Sequence, residues 1–353
     1  MNEPVDSAAV APLPAEALAL EVARELAGNR IVCTSLGRGQ AAWLLAAERA
    51  EAHVSAWFLD LFQMEKAVAA HGSQPPGLVV SCTADLPPGP FDLAVIPLAR
   101  DGEAELSRDI LQAALAALAP GGHLVASVDN PRDTWLHGQL TDTGERVRVR
   151  HGTDAMAYIV TKTRPPRIRD FSAAVVFRDR DRLLTARTRP GVFAHRRIDP
   201  AARHLLNAVD VAPGTRVVDI GCGSGCVALG IAARDPAVVV HALDSSARAV
   251  ECTRHSAAAN DLPAITVALE AGGVIPEPGT WDLVLANPPY YADFRIARLF
   301  VAAAFEALAP GGTLLVATKR PQWYLNTLPQ AWLNVAREEV KHYHLIEAVR
   351  PES

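Results

Sequence analysis

The sequence predicts an α/β protein built twice over: two tandem Rossmann-like domains, the first degenerate and the second chemically competent. Three observations carry this reading. Strand and helix signals alternate through the second half, the first half repeats their landmarks in order, and only the second copy ends its strands in residues suited to chemistry.

In the second half, Arg216 to Ile220 is a short apolar, β-branched run, and Val227 to Ala233 continues as a helix. Val238 to Leu243 reads as a second strand, Ser246 to Ala259 as a helix and Ile265 to Leu269 as a third strand. Trp281 to Ala286 is a fourth strand, and the helix Ile296 to Leu308 stops at Pro310-Gly311-Gly312. Thr313 to Thr318 follows as a fifth strand, and Glu339 to Val349 closes the chain as an edge hairpin. Strands separated by helices of this length form parallel βαβ units, a sheet covered on both faces.

The first half repeats the plan. Leu111 to Ala126 repeats Val301 to Val316, with Leu-Ala-Pro-Gly-Gly identical, and Phe91-Asp92-Leu93 answers Trp281-Asp282-Leu283 at the same offset. Gly37 and Gly39 answer Gly221 and Gly223 at a slightly shorter offset, which Asp60 and Asp244 share. On that alignment Ser35 replaces Asp219, Ala41 replaces Gly225, and Pro97-Leu98-Ala99-Arg100 replaces Asn287-Pro288-Pro289-Tyr290. The first copy keeps the fold without the reaction. The proline-rich, charged stretch Thr163 to Arg167 marks the boundary, giving domains 1–165 and 166–353. Phe171 to Arg187 then alternates as a hairpin turning at Asp179 to Asp181.

Composition bounds the function. Half of the 353 residues are apolar, enough for two cores, and no run approaches the roughly 18 apolar residues of a membrane span. Five scattered cysteines, only Cys222 and Cys226 close together, suit a reduced cytoplasmic protein with no metal site. The net charge of -5 speaks against a generic nucleic-acid binder. Yet Arg146 to Arg203 holds 15 Lys or Arg against 5 Asp or Glu. That stretch is either a solvated connection or a surface that tracks phosphates.

Chemistry concentrates at two motifs. In Asp219-Ile220-Gly221-Cys222-Gly223-Ser224-Gly225, three glycines permit a sharp strand-to-helix turn with a ligand lying against bare backbone. Asp219 can face a cationic amino group, and Asp244, at the end of the second strand, can accept hydrogen bonds from ribose hydroxyls. This half also fits a dinucleotide-dependent oxidoreductase. The second motif, Asn287-Pro288-Pro289-Tyr290, has no use in hydride transfer. It suits methylation of a planar amino group, with S-adenosylmethionine as the cofactor. The Asn287 side-chain oxygen and the Pro288 carbonyl accept the two N–H bonds, consecutive prolines hold those carbonyls rigid, and Tyr290 offers a stacking face.

Taken together, these residues resemble the bacterial two-domain ribosomal RNA guanine-N2 methyltransferases of the class I "methyltransferase small" group. The resemblance rests on the tandem domains, on Asn287 to Tyr290, and on Arg189-Pro190-Gly191-Val192-Phe193-Ala194 with Asp199. It is specific over Phe171 to Thr318 and loose over Met1 to Pro165. It implies that Phe193 and Asp199 help close the cofactor pocket. It also implies action on ribosomal RNA or the small ribosomal subunit, with a first domain that supports folding and grips RNA; a monomer is expected. The chain departs from the pattern after the third strand, where Glu270-Ala271-Gly272-Gly273 leaves either Glu270 or the backbone to meet the adenine amino group. Release-factor glutamine-N5 methyltransferases share the Asn-Pro-Pro-Tyr motif but pair it with a small helical domain. A non-catalytic RNA-binding scaffold is the alternative from another class, opposed by intact Asp219, Asp244 and Asn287.

Other residues read as structural. Trp43, Trp57, Phe58, Phe62 and Met64 are expected in the core, His342 and His344 on an edge strand, and Cys222 and Cys226 as space-filling groups. His195, Arg196 and Arg197 are expected at RNA phosphates.

Overall fold

The computed structural model describes residues 11–34, 36, 38–289 and 293–352. The chain divides into two compact units between Phe171 and Ser172.

The first unit runs α1 (Pro14–Arg24), β1 (Arg30–Thr34), α2 (Gln40–Glu48), β2 (His53–Phe58), α3 (Leu61–His71), β3 (Leu78–Cys82), β4 (Phe91–Leu98), α4 (Ala104–Ala117), β5 (Leu118–Val128), α5 (Trp135–Thr141), β6 (Val147–His151) and β7 (Met156–Thr161). The second begins with the hairpin β8 (Ala173–Asp179) and β9 (Arg182–Thr188). It continues as α6 (Pro200–Ala208), β10 (Arg216–Ile220), α7 (Cys226–Ala232), β11 (Val239–Asp244), α8 (Ala247–Ala259), β12 (Ile265–Leu269), β13 (Trp281–Ala286), α9 (Arg295–Ala307), β14 (Leu308–Thr318), α10 (Pro321–Thr327), β15 (Leu333–Val340) and β16 (Tyr343–Val349).

The two seven-stranded sheets have the same order, β3-β2-β1-β4-β5-β7-β6 and β12-β11-β10-β13-β14-β16-β15. Their first five strands are parallel, β7 and β16 run antiparallel to them, and the edge strands β6 and β15, antiparallel to those neighbours, return to the direction of the first five. The central strands are apolar on both faces, because helices cover both. Around the second sheet one core gathers Leu205, Leu229 and Ile231, and the other Val284, Ala304 and Ile346.

The structure changes several sequence expectations. Leu-Ala-Pro-Gly-Gly does not separate helix from strand. It lies inside β5 and β14 as an irregularity in the ladder, where Trp281 pairs with Leu308 but Leu283 with Thr313. The glycine turns also align differently from the match of Gly37 with Gly221. Val217 pairs with Leu283 as Ile31 pairs with Leu93, which equates Val217 with Ile31 and moves the alignment of the turns by two positions. The counterpart of Asp219 is therefore Cys33, not Ser35, and that of Gly225 is Gly39, not Ala41. Gly39 and Gly225 confirm this by capping α2 and α7 with the same left-handed backbone, φ 74° and 80°. Asp60 likewise matches the helix cap Ser246 rather than Asp244: each accepts from the amide three residues on, Gln63 in one case and Ala249 in the other. The reason is that strand register fixes the true correspondence, whereas glycine spacing permits a slip of two. Trp43, Trp57 and Phe58 are buried as expected, but Phe62 is 49% exposed on α3.

Candidate active site

Register builds the site. Ile220 at the end of β10 pairs with Leu243 on one side and Ala286 on the other, and Asp244 pairs with Leu269. Four neighbouring parallel strands thus finish level, and Gly221, Asp244, Glu270 and Asn287 emerge along one rim. Ligands of open α/β sheets bind at such carboxyl ends.

The glycine turn is fixed by backbone. Gly221 and Cys222 donate to the Leu243 carbonyl at 2.8 and 3.1 Å, while Gly221, Gly223 and Gly225 adopt φ of 76°, 56° and 80°. Gly225 is doubly constrained, because a Cβ there would lie 2.8 Å from the Thr253 methyl. At Gly223 a Cβ would meet no atom of the described residues within 4 Å, so this backbone is bare among them.

Two acids brace the turn. Asp219, 4% exposed, accepts from the Ala228 amide at 3.1 Å and ties the strand end to the first turn of α7. Burial pushes its carboxyl up to about 7, and the neighbouring Asp244 adds to the rise. Asp244 accepts from Gly223 N at 2.9 Å and from Ser246 N at 2.8 Å. It organises the turn it was expected only to complement.

Glu270 is otherwise occupied. Its oxygens accept from the amides of Gly272, Gly273 and Val274 at 2.9–3.1 Å. The carboxylate folds its own turn. The Gly-Gly pair was the overlooked signal, since adjacent small residues let one carboxylate collect successive amides.

Asn287 follows β13 half-buried, ahead of the buried Pro288 and the half-buried Pro289. Its Nδ2 donates to Asp199 Oδ2 at 2.7 Å. Asp199 caps α6, and its carboxyl is raised by burial against the opposing pull of the Ala202 amide and Asn287. Phe193 is 68% exposed on the turn after β9. Tyr290 lies outside the described residues, as do Ser35 and Gly37.

Beyond that gap, Asp293 and Phe294 both take left-handed backbone, φ 45° and 61°. Phe294 is held by stacking on Trp323 at 5.1 Å between ring centroids, with Arg298 over the Trp323 ring at 5.6 Å. Strain of this kind persists only where surrounding packing enforces it. Sequence reasoning missed this clamp, since nothing local links residues 294 and 323.

The thiols of Cys222 and Cys226 are buried, and burial pushes the latter up to about 11, which suits packing rather than nucleophilic work. His195 is a correction: its Nδ1 lies 2.8 Å from Thr188 Oγ1, so it pairs within the fold. Part of the basic stretch is also paired locally, Arg150 with Glu25 at 2.5 Å and Arg189 with Glu251 at 2.6 Å. Among the described residues Arg167 and Arg182 have no such partner. No group of three His, Cys, Asp or Glu able to hold a metal occurs among the described residues, and no helix there is long and apolar enough to cross a membrane.

A parallel sheet with one antiparallel strand set just inside its edge, with a glycine turn after β10 and Asn-Pro-Pro after β13, defines a class I methyltransferase domain. More narrowly, residues 183–347 match the Methyltransferase small domain. Curated relatives include "Ribosomal RNA small subunit methyltransferase C" of Pseudomonas aeruginosa, 36% identical over 129 residues, 35% of this chain and 38% of that protein. The protein of the same name from Stutzerimonas stutzeri is 27% identical over 248 residues, 65% of this chain and 70% of that one. The chain therefore matches well under half the length of the first of these relatives. A solved structure, the T. thermophilus 16S rRNA N2 G1207 methyltransferase in complex with AdoMet and guanosine, superposes with a TM-score of 0.77. That match covers 96% of this chain and 92% of that one at 22% identity, and it establishes the fold across both units.

Proposed function

We propose that this protein transfers a methyl group from S-adenosylmethionine to the exocyclic N2 amino group of a guanine in small-subunit ribosomal RNA. The observation that carries the reading is the register pair Ile220 and Ala286, which sets the glycine turn and Asn287 side by side on one rim. The relatives named as small-subunit ribosomal RNA methyltransferases and the guanosine complex of the T. thermophilus N2 methyltransferase support the choice of substrate.

The residues present fit the cofactor. The bare backbone at Gly223, Asp219 and Asp244 would hold it, with Asp244 towards the ribose and Asp219 towards the amino-acid end. When bound, it supplies an electrophilic methyl on a sulfonium. An exocyclic amine is a weak nucleophile because its lone pair is delocalised into the ring. The Asn287 side-chain oxygen and the Pro288 carbonyl accept its two N–H bonds, letting the nitrogen pyramidalise towards the methyl. The proton leaves after the N–C bond has formed, so a neutral acceptor suffices. Tyr290 would stack on the base, and the first unit would support folding and bind RNA. The unpaired Arg167 and Arg182 are suited to its phosphates.

A glutamine-modifying reading is not favoured, because the partner unit here is a seven-stranded sheet rather than a helical bundle. The test is transfer of labelled methyl groups to small ribosomal subunits, naked ribosomal RNA and release factors in parallel. Label on N2 of a guanine is expected, and label confined to protein would overturn the reading.

A further inference from the structure

We infer that Asp199 is a positioning residue for the reaction: its carboxylate fixes which end of the Asn287 amide faces the substrate amine. The inference rests on the methyl-transfer reading and departs from the cofactor-pocket role that family resemblance implies for Asp199.

The two ends of an asparagine amide are nearly the same size but opposite in use, one accepting and one donating. An amine substrate must meet the accepting end. An ionised carboxylate can only accept, so the end of Asn287 beside Asp199 has to be the NH2 group. The 2.7 Å contact from Nδ2 to Asp199 Oδ2 therefore turns Oδ1 away from Asp199, free to accept elsewhere. A reversed amide would place two acceptors together and would offer the substrate amine a donor.

Both partners are held on stiff backbone. Asp199 precedes Pro200, the first residue of α6, and Asn287 precedes Pro288. A residue before proline is barred from helical backbone, and Asp199 accordingly stands extended at φ −67°, ψ 132°. Two prolines far apart in the chain thus freeze the two ends of one hydrogen bond.

The internal duplication supplies independent support. In the register that equates β10 with β1, the counterpart of Pro200 is Pro14, also at the start of its helix, and the counterpart of Asp199 is Leu13. In the register that equates β13 with β4, the counterpart of Asn287 is Pro97. The first copy has lost both members of the pair and kept the backbone that carried one of them.

The test is a double-mutant cycle of Asp199→Ala and Asn287→Ala, with methyl transfer to small-subunit RNA measured at saturating cofactor and cofactor affinity measured by calorimetry. Asp199→Ala is expected to slow transfer about tenfold, the scale of one hydrogen bond to a charged group, with the cofactor dissociation constant changed less than about twofold. In the Asn287→Ala background the same change should cost less than about twofold. The isosteric Asp199→Asn, which permits both amide orientations, should fall between wild type and Asp199→Ala. Fully additive losses, or a tenfold weaker cofactor affinity with unchanged saturated rate, would overturn the inference. A second readout needs no turnover: in cofactor-bound protein with 15N-labelled asparagine, the Asn287 side-chain amide resonance should move in Asp199→Ala. An unmoved resonance would also sink it. Absence of methyl transfer by the wild type to any substrate would defeat the functional reading instead, leaving the resonance to decide the role of Asp199.

Discussion

The two sheets share strand order, register and even the left-handed glycine that opens the helix after the central strand, yet they use the same space in opposite ways. In the second unit a Cβ on Gly225 would lie 2.8 Å from the Thr253 methyl, and the neighbouring strand ends in Asp244, which accepts from Gly223 N. In the first unit the counterpart of Asp244 is Phe58, and a Cβ on Gly39 would lie 2.8 Å from the Trp43 ring and 3.2 Å from that of Phe58. Trp43 in turn stacks on His71 at 4.5 Å. An aromatic ring thus stands in the first copy where the second has a carboxylate.

One carboxyl has moved rather than vanished. Cys33 occupies the place of Asp219, and the fully buried Glu16 of α1 lies close enough to push the Cys33 thiol further up. Burial raises Glu16 to about 7, with the amides of Leu13 and Ala41 pulling the other way. An acid beside the start of the helix after the central strand is thus retained from a different element, in keeping with the positive end of a helix dipole.

The largest expected asymmetry is catalytic. Asn287→Ala should lower turnover about a hundredfold with cofactor binding intact, while Pro97→Ala at the equivalent strand end should leave turnover unchanged. Comparable losses in both variants would mean that the first copy takes part in chemistry. Next, Gly225→Ala and Gly39→Ala should each cost about 1–3 kcal/mol of stability, because both glycines are left-handed and crowded. Only the former should also weaken cofactor binding, as read by thermal melts with and without ligand.

Glu16 sharpens the contrast through pH. Its folded value lies above that of the unfolded chain, so its stabilisation is complete below about 4.5 and is lost as pH rises through about 7. Glu16→Gln should therefore raise stability by roughly 1–2 kcal/mol at pH 8 and hardly at all at pH 5. Equal effects at both pH values would show that the carboxyl does not titrate in this range. The smallest change concerns Asp244→Ala, which should weaken the cofactor about tenfold, as expected for one charged acceptor. An unchanged dissociation constant would leave Asp244 with only its role in bracing the turn.

The sheet was legible because its signals are local: β12 and β13 coincide with the apolar runs that predict them, and the edge hairpin follows from alternation. The site was legible where one stretch of chain carries it, as at Gly221 to Gly225 and Asn287 to Pro289. What escaped depends on distant pairs. Nothing near Asp199 announces Asn287, and nothing near Phe294 announces Trp323. The slipped alignment has the same origin, since hydrogen bonds between strands, not residue spacing, decide what is equivalent. The bonds of Glu270 to its own turn went unread although they are local, its partners being only two to four residues away.

The outermost antiparallel strands have a consequence for assembly. A chain that forms one sheet twice risks, while half-made, zipping the border of one copy onto that of the other. Here those borders are marked differently. β6 carries Arg148, Arg150 and His151, whereas β15 carries Arg337, Glu338 and Glu339 on a largely exposed strand. Charged side chains along an open strand disfavour accretion of another strand. The duplication is tolerable because both margins carry charge.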